Sequence, residues 1–200
     1  MCGIVAAAAG KNIVPVLVEG LKKLEYRGYD SAGLAVIGHS EIERVRSTGR
    51  VAELEAASAG TSAITGIAHT RWATHGIPSE RNAHPHVSGS IAVVHNGIIE
   101  NYETLRGELT AQGYVFTSDT DTESIAHLIQ STLKTEPDLL KAVQIACRHL
   151  VGAYAIAVID QNQPGKIIVS REGSPLLLGV SDTGNYAASD ASALLQVTRN

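Results

Sequence analysis

The sequence has only two cysteines, Cys2 and Cys147, among its 200 residues. It has no apolar run near the roughly 20 residues that a membrane-spanning helix needs. Residues 1–9 lack the basic region that begins a secretory signal peptide. A cytosolic compartment disfavours a Cys2–Cys147 disulfide. These features indicate a soluble cytoplasmic protein that does not enter a membrane.

The sequence also has no cluster of basic residues. Lysine and arginine are scattered along the chain, and the formal net charge is −4. A nucleic-acid-binding protein needs a concentrated positive surface, so we expect no nucleic-acid partner. With 44% hydrophobic residues the chain can bury the core of one large domain.

Short apolar runs alternate with helical patterns along the whole chain. The runs predict strands at residues 3–9, 33–37, 42–45, 64–68, 91–94, 153–159, 166–169, 176–179 and 186–188. Helical spacing is predicted for residues 13–24, 51–54, 102–109, 125–129 and 140–150, with Pro15 tolerable in a first turn. Many strands are apolar on consecutive residues, which is typical of strands covered on both faces. The sequence therefore predicts two packed sheets flanked by helices.

The helix around Cys147 carries apolar residues at Leu140, Val143, Cys147 and Leu150. This spacing predicts that the Cys147 sulfur lies on the buried face of the helix. We expect Cys147 to be a core residue.

Cys2 directly follows the initiator methionine, Met1. Aminopeptidases remove Met1 when the next residue is small, which would leave Cys2 with a thiol and a free α-amine. Such an amine has a pKa of about 7.7–8.0 and can serve the thiol as a base. The alternative is that Cys2 begins an apolar strand and packs as a small hydrophobic residue, which the dipeptide alone favours.

Three segments combine polar residues and glycine where a strand or helix gives way to a loop: residues 25–33, 69–76 and 95–101. Functional groups are often placed at such positions. Asn96-Gly97 by itself favours a hairpin turn. The alternative is an oxyanion hole, in which the Asn96 amide and the Gly97 N–H converge on one oxygen.

Other polar residues leave alternatives open. Arg71 suits bidentate binding of a carboxylate, although an ordinary ion pair is commoner. Residues 119–123 predict a helix N-terminus capped by Thr or Asp with Glu123 in the first turn, or a carboxylate that binds a ligand ammonium. His84-Pro85-His86 lacks the spacing of known zinc motifs, so we expect no metal.

Taken together, these motifs resemble one family over nearly the whole chain, from Cys2 to about Arg199. The motifs are Cys2-Gly3-Ile4-Val5, Arg27-Gly28-Tyr29-Asp30-Ser31, Thr70-Arg71-Trp72-Ala73-Thr74-His75-Gly76, Asn82-Ala83-His84-Pro85-His86, residues 95–101 and residues 118–123. They resemble the glutaminase domains of glutamine–fructose-6-phosphate aminotransferases, also called glucosamine-6-phosphate synthases. The resemblance implies an α+β fold of the N-terminal-nucleophile hydrolase type, a four-layer αββα sandwich, and no cofactor. Ala6 departs from the family, which usually has glycine there.

The resemblance further implies the chemistry. Cys2, freed of Met1, would attack the side-chain amide of glutamine with its own α-amine as base, giving glutamate and ammonia. The other implied roles are Asn96 and Gly97 in the oxyanion hole, Arg27 orienting the nucleophile, Arg71 on the substrate carboxylate, Asp121 on its α-ammonium, Trp72, Thr74 and His75 lining the pocket, and His84 near the partner domain.

The resemblance also bears on the chain's extent and partners. We expect residues 1–200 to be one glutaminase domain that lacks its C-terminal end and the following isomerase module. In the longer protein, the resemblance implies two partners: that fructose-6-phosphate isomerase module and a second copy in a homodimer. Two alternatives remain: the glutaminase domain of another class II amidotransferase, such as the phosphoribosylpyrophosphate or asparagine-synthesising enzymes, and a non-catalytic glutamine-binding module.

Overall fold

The computed structural model describes residues 2–198, within which ten strands and five α-helices form. The strands are β1 (Gly3–Ala9), β2 (Ser31–Gly38), β3 (Glu41–Ser47), β4 (Thr65–Arg71), β5 (His86–Ser88), β6 (Ile91–Gly97), β7 (Tyr154–Asp160), β8 (Ile168–Glu172), β9 (Leu177–Ser181) and β10 (Gly184–Ala188). The helices are α1 (Val14–Leu24), α2 (Val51–Ala57), α3 (Tyr102–Ala111), α4 (Thr122–Leu133) and α5 (Leu139–Cys147). Every predicted strand and helix is therefore present, with boundaries shifted by a few residues.

The strands form two sheets. One has six strands in the order β3-β2-β4-β1-β10-β9, and the other has four in the order β5-β6-β7-β8. All neighbouring strands are antiparallel. The predicted pairing of β2 with β3 is confirmed.

Three hydrophobic clusters define four layers. The first cluster lies between α1, α2 and the six-stranded sheet, and the second lies between α3, α4, α5 and the four-stranded sheet. The third contains side chains from both sheets, including Ile4, Ile67, Val94 and Ala157, and therefore lies between them. This order of layers confirms the predicted αββα sandwich.

Strand β1 shows why its sequence is apolar throughout. Val5 and Ala7 pack toward the helices, whereas Ile4 and Ala6 pack between the sheets. Because successive side chains point to opposite faces, both alternating sets are buried. The extra methyl group of Ala6 is fully buried in the intersheet layer and leaves the strand pairing of β1 intact.

Helix α1 buries the face that its spacing predicts. Ile13, Leu17, Leu21 and Leu24 are all fully buried, and Pro15 lies in the first turn. Burial of each such side chain contributes roughly 1.5–3 kcal/mol relative to exposure. This helix therefore anchors the outer layer against the sheet that carries Cys2.

The prediction for the helix that contains Cys147 is wrong at Leu140, whereas Val143, Cys147 and Leu150 do pack in or against the core. The buried face of α5 consists of Leu139, Ala142, Val143 and Ala146, and Leu140 is 49% exposed. Helix α5 is in contact with α4. Cys147 lies at the edge of the core, partly buried.

Candidate active site

The residues of the predicted site meet at one end of the sandwich. Gly3 pairs with Thr70, which places Cys2 beside the end of β4. Strand β6 of the other sheet ends at Gly97, against the same region. Strands β4 and β6 both extend beyond their predicted ends, and the additional residues include Arg71, Asn96 and Gly97.

The Cys2 sulfur is held by the main chain of Trp72. The Trp72 N–H donates to Sγ at 3.1 Å, and the thiol lies 3.5 Å from the Trp72 carbonyl oxygen. Burial raises the pKa of the Cys2 thiol above its ordinary value, although the Trp72 N–H partly opposes this effect. The thiol is therefore protonated at neutral pH and needs a base to react. The predicted removal of Met1 concerns a residue that lies outside the described residues, 2–198.

The hairpin favoured for Asn96-Gly97 is wrong. These residues lie inside β6 and pair with Ala155 and Tyr154 of β7, so the chain runs straight through them. The Asn96 side chain points toward the nucleophile, with Nδ2 donating to the Cys2 carbonyl oxygen at 3.3 Å. The Gly97 backbone has a φ of +119°, and a Cβ there would lie 2.0 Å from the Ala153 oxygen. Only glycine fits this position.

Arg27 contacts Cys2 and is itself held by a carboxylate. Its Nη1 lies 3.5 Å from the Cys2 carbonyl oxygen, and its Nη2 lies 2.9 Å from Asp190 Oδ2. The Ser192 N–H and hydroxyl, together with Tyr26 and Arg27, hold the pKa of Asp190 below its usual value. Asp190 was not anticipated from the sequence, because it lies 163 residues from Arg27 and no motif marks it.

Arg71 is buried and bonded to the loop that follows it. Its Nη2 donates to the carbonyl oxygens of His75 and Gly76, and Nη1 donates to the Ile77 oxygen at 3.4 Å. Nη1 also lies 3.7 Å from Asp30 Oδ1, so the ordinary ion pair foreseen for Arg71 is present. The guanidinium thus fixes the loop at residues 75–77 while it lines the cleft.

Asp121 lies immediately before α4, as the predicted helix start requires, and Glu123 lies in the first turn. The predicted capping by a Thr or Asp side chain is wrong, because the Asp121 carboxylate accepts instead from the Ile99 N–H at 2.9 Å. Its oxygens lie 3.9 Å from His95 Nδ1 and 4.0 Å from His75 Nδ1. Asp121 therefore places a buried carboxylate near Gly97, at the end of β6 that faces Cys2.

Several of these side chains line one narrow cleft. Its lining includes Cys2, Arg71, Trp72, Thr74, His75, His84, Gly97 and Asp121. A wider groove, with a volume of about 260 Å³, lies against residues 165–169 and 185–187, but its lining has no thiol, carboxylate or imidazole. The cleft at Cys2 is therefore the candidate active site.

His84 lies beneath the cleft rather than at its mouth. It is 5% exposed, and its Nε2 is 2.7 Å from Thr122 Oγ1. Burial holds its pKa well below the ordinary value for histidine. A contact between this position and a partner domain stays a prediction. Within residues 2–198, no group of three or more His, Cys, Asp and Glu side chains is arranged to hold a metal ion.

The helices within residues 2–198 are all too short or too polar to cross a membrane.

Comparison with known proteins is consistent with this geometry. A family model described as "Glutamine amidotransferase domain" matches residues 69–196. The chain is 58% identical to the glutamine–fructose-6-phosphate aminotransferase of Xylella fastidiosa Temecula1 over 100% of its length, and 58% identical to that of Pseudomonas putida over 99%. It spans only 33% of each relative. Among solved structures, glutamine phosphoribosylpyrophosphate amidotransferase from B. subtilis matches 96% of the chain and 43% of that protein, with a TM-score of 0.83 and 26% identity.

Proposed function

The chain belongs to the family of glutamine amidotransferase domains, and we propose that it hydrolyses the side-chain amide of glutamine with the Cys2 sulfur as nucleophile. The observation that carries the proposal is the position of Cys2: its carbonyl oxygen accepts from Asn96 and Arg27, and its sulfur accepts from Trp72. Three separate parts of the chain therefore hold one residue with a reactive thiol. Such convergence on a residue at the start of a strand exceeds what packing requires.

The first step forms a thiol ester. The sulfur of mature Cys2 attacks the amide carbon of glutamine, and its proton passes to the Cys2 α-amine. The charge that develops on the amide oxygen is stabilised by Asn96 Nδ2 and the Gly97 N–H, which serve as the oxyanion hole. The ammonium then returns the proton to the leaving nitrogen, and ammonia departs.

The second step regenerates the enzyme. A water molecule attacks the thiol-ester carbon, the C–S bond breaks, and glutamate leaves. The α-amine accepts a proton from that water and returns one to the sulfur. Arg27 keeps the Cys2 main chain in place through both steps, supported by its ion pair with Asp190.

Substrate recognition requires one cation and one anion, because free glutamine is a zwitterion. Arg71 and Asp121 both line the cleft, and both are almost completely buried. We assign Arg71 to the substrate carboxylate and Asp121 to its α-ammonium. Trp72, Thr74 and His75 form the remaining walls, and Trp72 is 53% exposed and so accessible at the entrance.

The same proposal extends to the activity of a longer protein that contains this domain. The curated relatives named here are glutamine–fructose-6-phosphate aminotransferases, of which the chain spans a third. We propose that the ammonia passes to a fructose-6-phosphate isomerase module and yields glucosamine 6-phosphate. A homodimer and a cytoplasmic location belong to this proposal.

Two alternatives make different predictions. The glutaminase domain of a phosphoribosylpyrophosphate amidotransferase has the same fold, but the 26% identity to that structure is far below the 58% identity to the aminotransferases. A non-catalytic module would bind glutamine in calorimetry without releasing ammonia.

A covalent probe tests the proposed nucleophile. A glutamine analogue with a diazoketone in place of the amide should add once per chain, and peptide mapping should locate the adduct on Cys2. Excess glutamine should slow the labelling. Labelling of Cys147 at an equal rate, or no protection by glutamine, would contradict the assignment of this cleft.

A further inference from the structure

His69 and Asn96 meet in the layer between the two sheets. His69 lies on β4 of the six-stranded sheet, and Asn96 lies on β6 of the four-stranded sheet. The His69 Nε2 atom is 2.9 Å from Asn96 Oδ1 and 2.9 Å from the carbonyl oxygen of His95. Both residues are buried, so these contacts are shielded from solvent.

The partners of Nε2 determine which ring nitrogen carries the proton. A main-chain carbonyl oxygen only accepts hydrogen bonds, so the contact with His95 requires a proton on Nε2. The same Nε2–H then faces Asn96, and only the amide oxygen of Asn96 can accept from it. The Asn96 amide is therefore fixed with Oδ1 toward His69 and Nδ2 toward Cys2.

The reversed amide would be unfavourable on both sides. Its Nδ2 would face the Nε2–H of His69, and its Oδ1 would face the Cys2 carbonyl oxygen, 3.3 Å from the present Nδ2 position. A buried polar group that loses its partner destabilises the fold, because nothing replaces the hydrogen bond that water gave it. His69 thus removes the one alternative orientation that would take the amide donor away from the nucleophile.

The His69 ring is itself held in place. It stacks on His84 with ring centroids 4.1 Å apart, and His84 Nε2 lies 2.7 Å from Thr122 Oγ1. Burial, with Arg71 and His95 nearby, lowers the pKa of His69 to about 3, so the ring is neutral at working pH. A neutral ring with its proton on Nε2 is what the Asn96 contact needs.

We infer that His69 is a positioning residue that orients the Asn96 amide toward the oxyanion formed during glutamine hydrolysis. The inference rests on the proposed function and goes beyond it, because His69 is absent from the lining of the cleft and contacts the proposed oxyanion donor Asn96 from the intersheet side. A core histidine without this role would affect stability alone.

The test compares two substitutions at residue 69. His69→Met removes the donor at similar volume, and His69→Gln keeps an N–H at the reach of Nε2. We expect His69→Met to lower kcat for ammonia release about 10–100-fold, below the full cost of losing an oxyanion donor, with KM within about twofold. His69→Gln should recover most of the lost kcat.

A matched control separates positioning from stability. His127 lies on α4 and is also buried, and its Nδ1 forms a hydrogen bond with Ser88 Oγ at 2.8 Å. His127→Met should lower the urea midpoint as much as His69→Met does, yet leave kcat unchanged. Alkylation of Cys2 by iodoacetamide builds no oxyanion, so its rate should be the same in wild type and His69→Met.

The outcomes are distinguishable. If wild type releases no ammonia, the proposed function fails and not only the role of His69. If wild type is active and His69→Met keeps its kcat, or if His69→Gln is as impaired as His69→Met, the positioning role is overturned. A proton on Nδ1 of His69 in ¹⁵N NMR of the wild-type protein would overturn it independently of activity.

Discussion

The Trp72 main-chain N–H donates to the Cys2 sulfur at 3.1 Å, in a setting whose burial raises the thiol pKa. A protonated thiol is a weak nucleophile, because the thiolate is the reactive form. The site therefore depends on a base that can take the thiol proton at the moment of attack. In the proposed mechanism the α-amine of mature Cys2, on the same residue as the thiol, is that base.

This relationship predicts the pH dependence of the reaction. The amine acts as a base only when it is neutral, and an unperturbed α-amine has a pKa of about 7.7–8.0. We expect kcat/KM for glutamine hydrolysis to rise with pH along one limb with an apparent pKa in that region. Steady-state ammonia release between pH 6 and 9 measures it. A profile that is flat from pH 6 to 8.5 would argue against the amine as base.

Asp121→Asn should weaken glutamine binding. The neutral amide can still accept from the Ile99 N–H, so the local fold is kept, but the charge facing the substrate ammonium is lost. Charged hydrogen bonds contribute about 1.5–3 kcal/mol, which corresponds to a rise in KM of about 10–150-fold. Asp119→Asn is the control, since Asp119 is an exposed neighbour paired with Arg81. Equal KM values for the two variants would refute the assignment of Asp121.

Gly97→Ala should abolish activity and destabilise the fold. The added Cβ would lie 2.0 Å from the Ala153 oxygen, and the φ of +119° is unfavourable for alanine. Strained backbone of this kind costs about 1–3 kcal/mol before the clash is counted. Gly107→Ala is the control, because a Cβ there meets nothing within 4 Å and lies in a helix. Ammonia release and urea unfolding of both variants measure the effect, and an active Gly97→Ala protein would contradict the oxyanion role.

Buried histidines should make the fold sensitive to acid. Burial lowers the pKa of His69 and His86 to about 3 and also lowers the pKa of His84 and His95. Between about pH 6.5 and 3 the unfolded chain binds protons that the folded chain does not, so the free energy of unfolding falls as pH falls through this window. Above pH 6.5 the contribution is fully present.

Urea midpoints at pH 7.5 and 5.0 test this expectation, with a clear decrease at pH 5.0. His86→Gln should reduce the slope by about 1 kcal/mol per pH unit, since it removes one proton from the difference. His39→Asn changes an exposed histidine and should leave the slope unchanged. Identical midpoints at the two pH values would show that these histidines bind protons as readily in the folded chain as in the unfolded chain.

The sequence predicts the layers of this fold because buried strands are apolar on both faces. Strand β1 follows that rule, and helix α1 follows the separate rule that apolar residues at helical spacing mark one buried face. The apolar residues alone predict both elements. The sequence does not decide between Leu139 and Leu140 in α5, because the two leucines offer overlapping apolar faces. Which face is buried depends on how closely α4 approaches.

The parts of the site that the sequence does not predict depend on long-range contacts. Asn96-Gly97 has the composition of a turn, but pairing with β7 keeps β6 extended through it. Asp121 is a residue type that commonly caps a helix, but its carboxylate accepts a hydrogen bond from the Ile99 N–H instead. No local pattern marks Asp190, because only the fold brings it to Arg27. His69 begins one of the three polar segments, but its contact with Asn96 depends on how the two sheets pack.

The central claim is that Cys2 acts as an N-terminal nucleophile, and intact mass with ammonia release on one sample tests it most directly. Protein whose mass shows Cys2 as the first residue should release ammonia from glutamine. The Cys2→Ala variant lacks the thiol, and protein whose mass shows that Met1 is retained lacks the free α-amine. Each should therefore lose at least about 10³-fold in kcat. Strong activity in a sample verified to retain Met1 would contradict the mechanism.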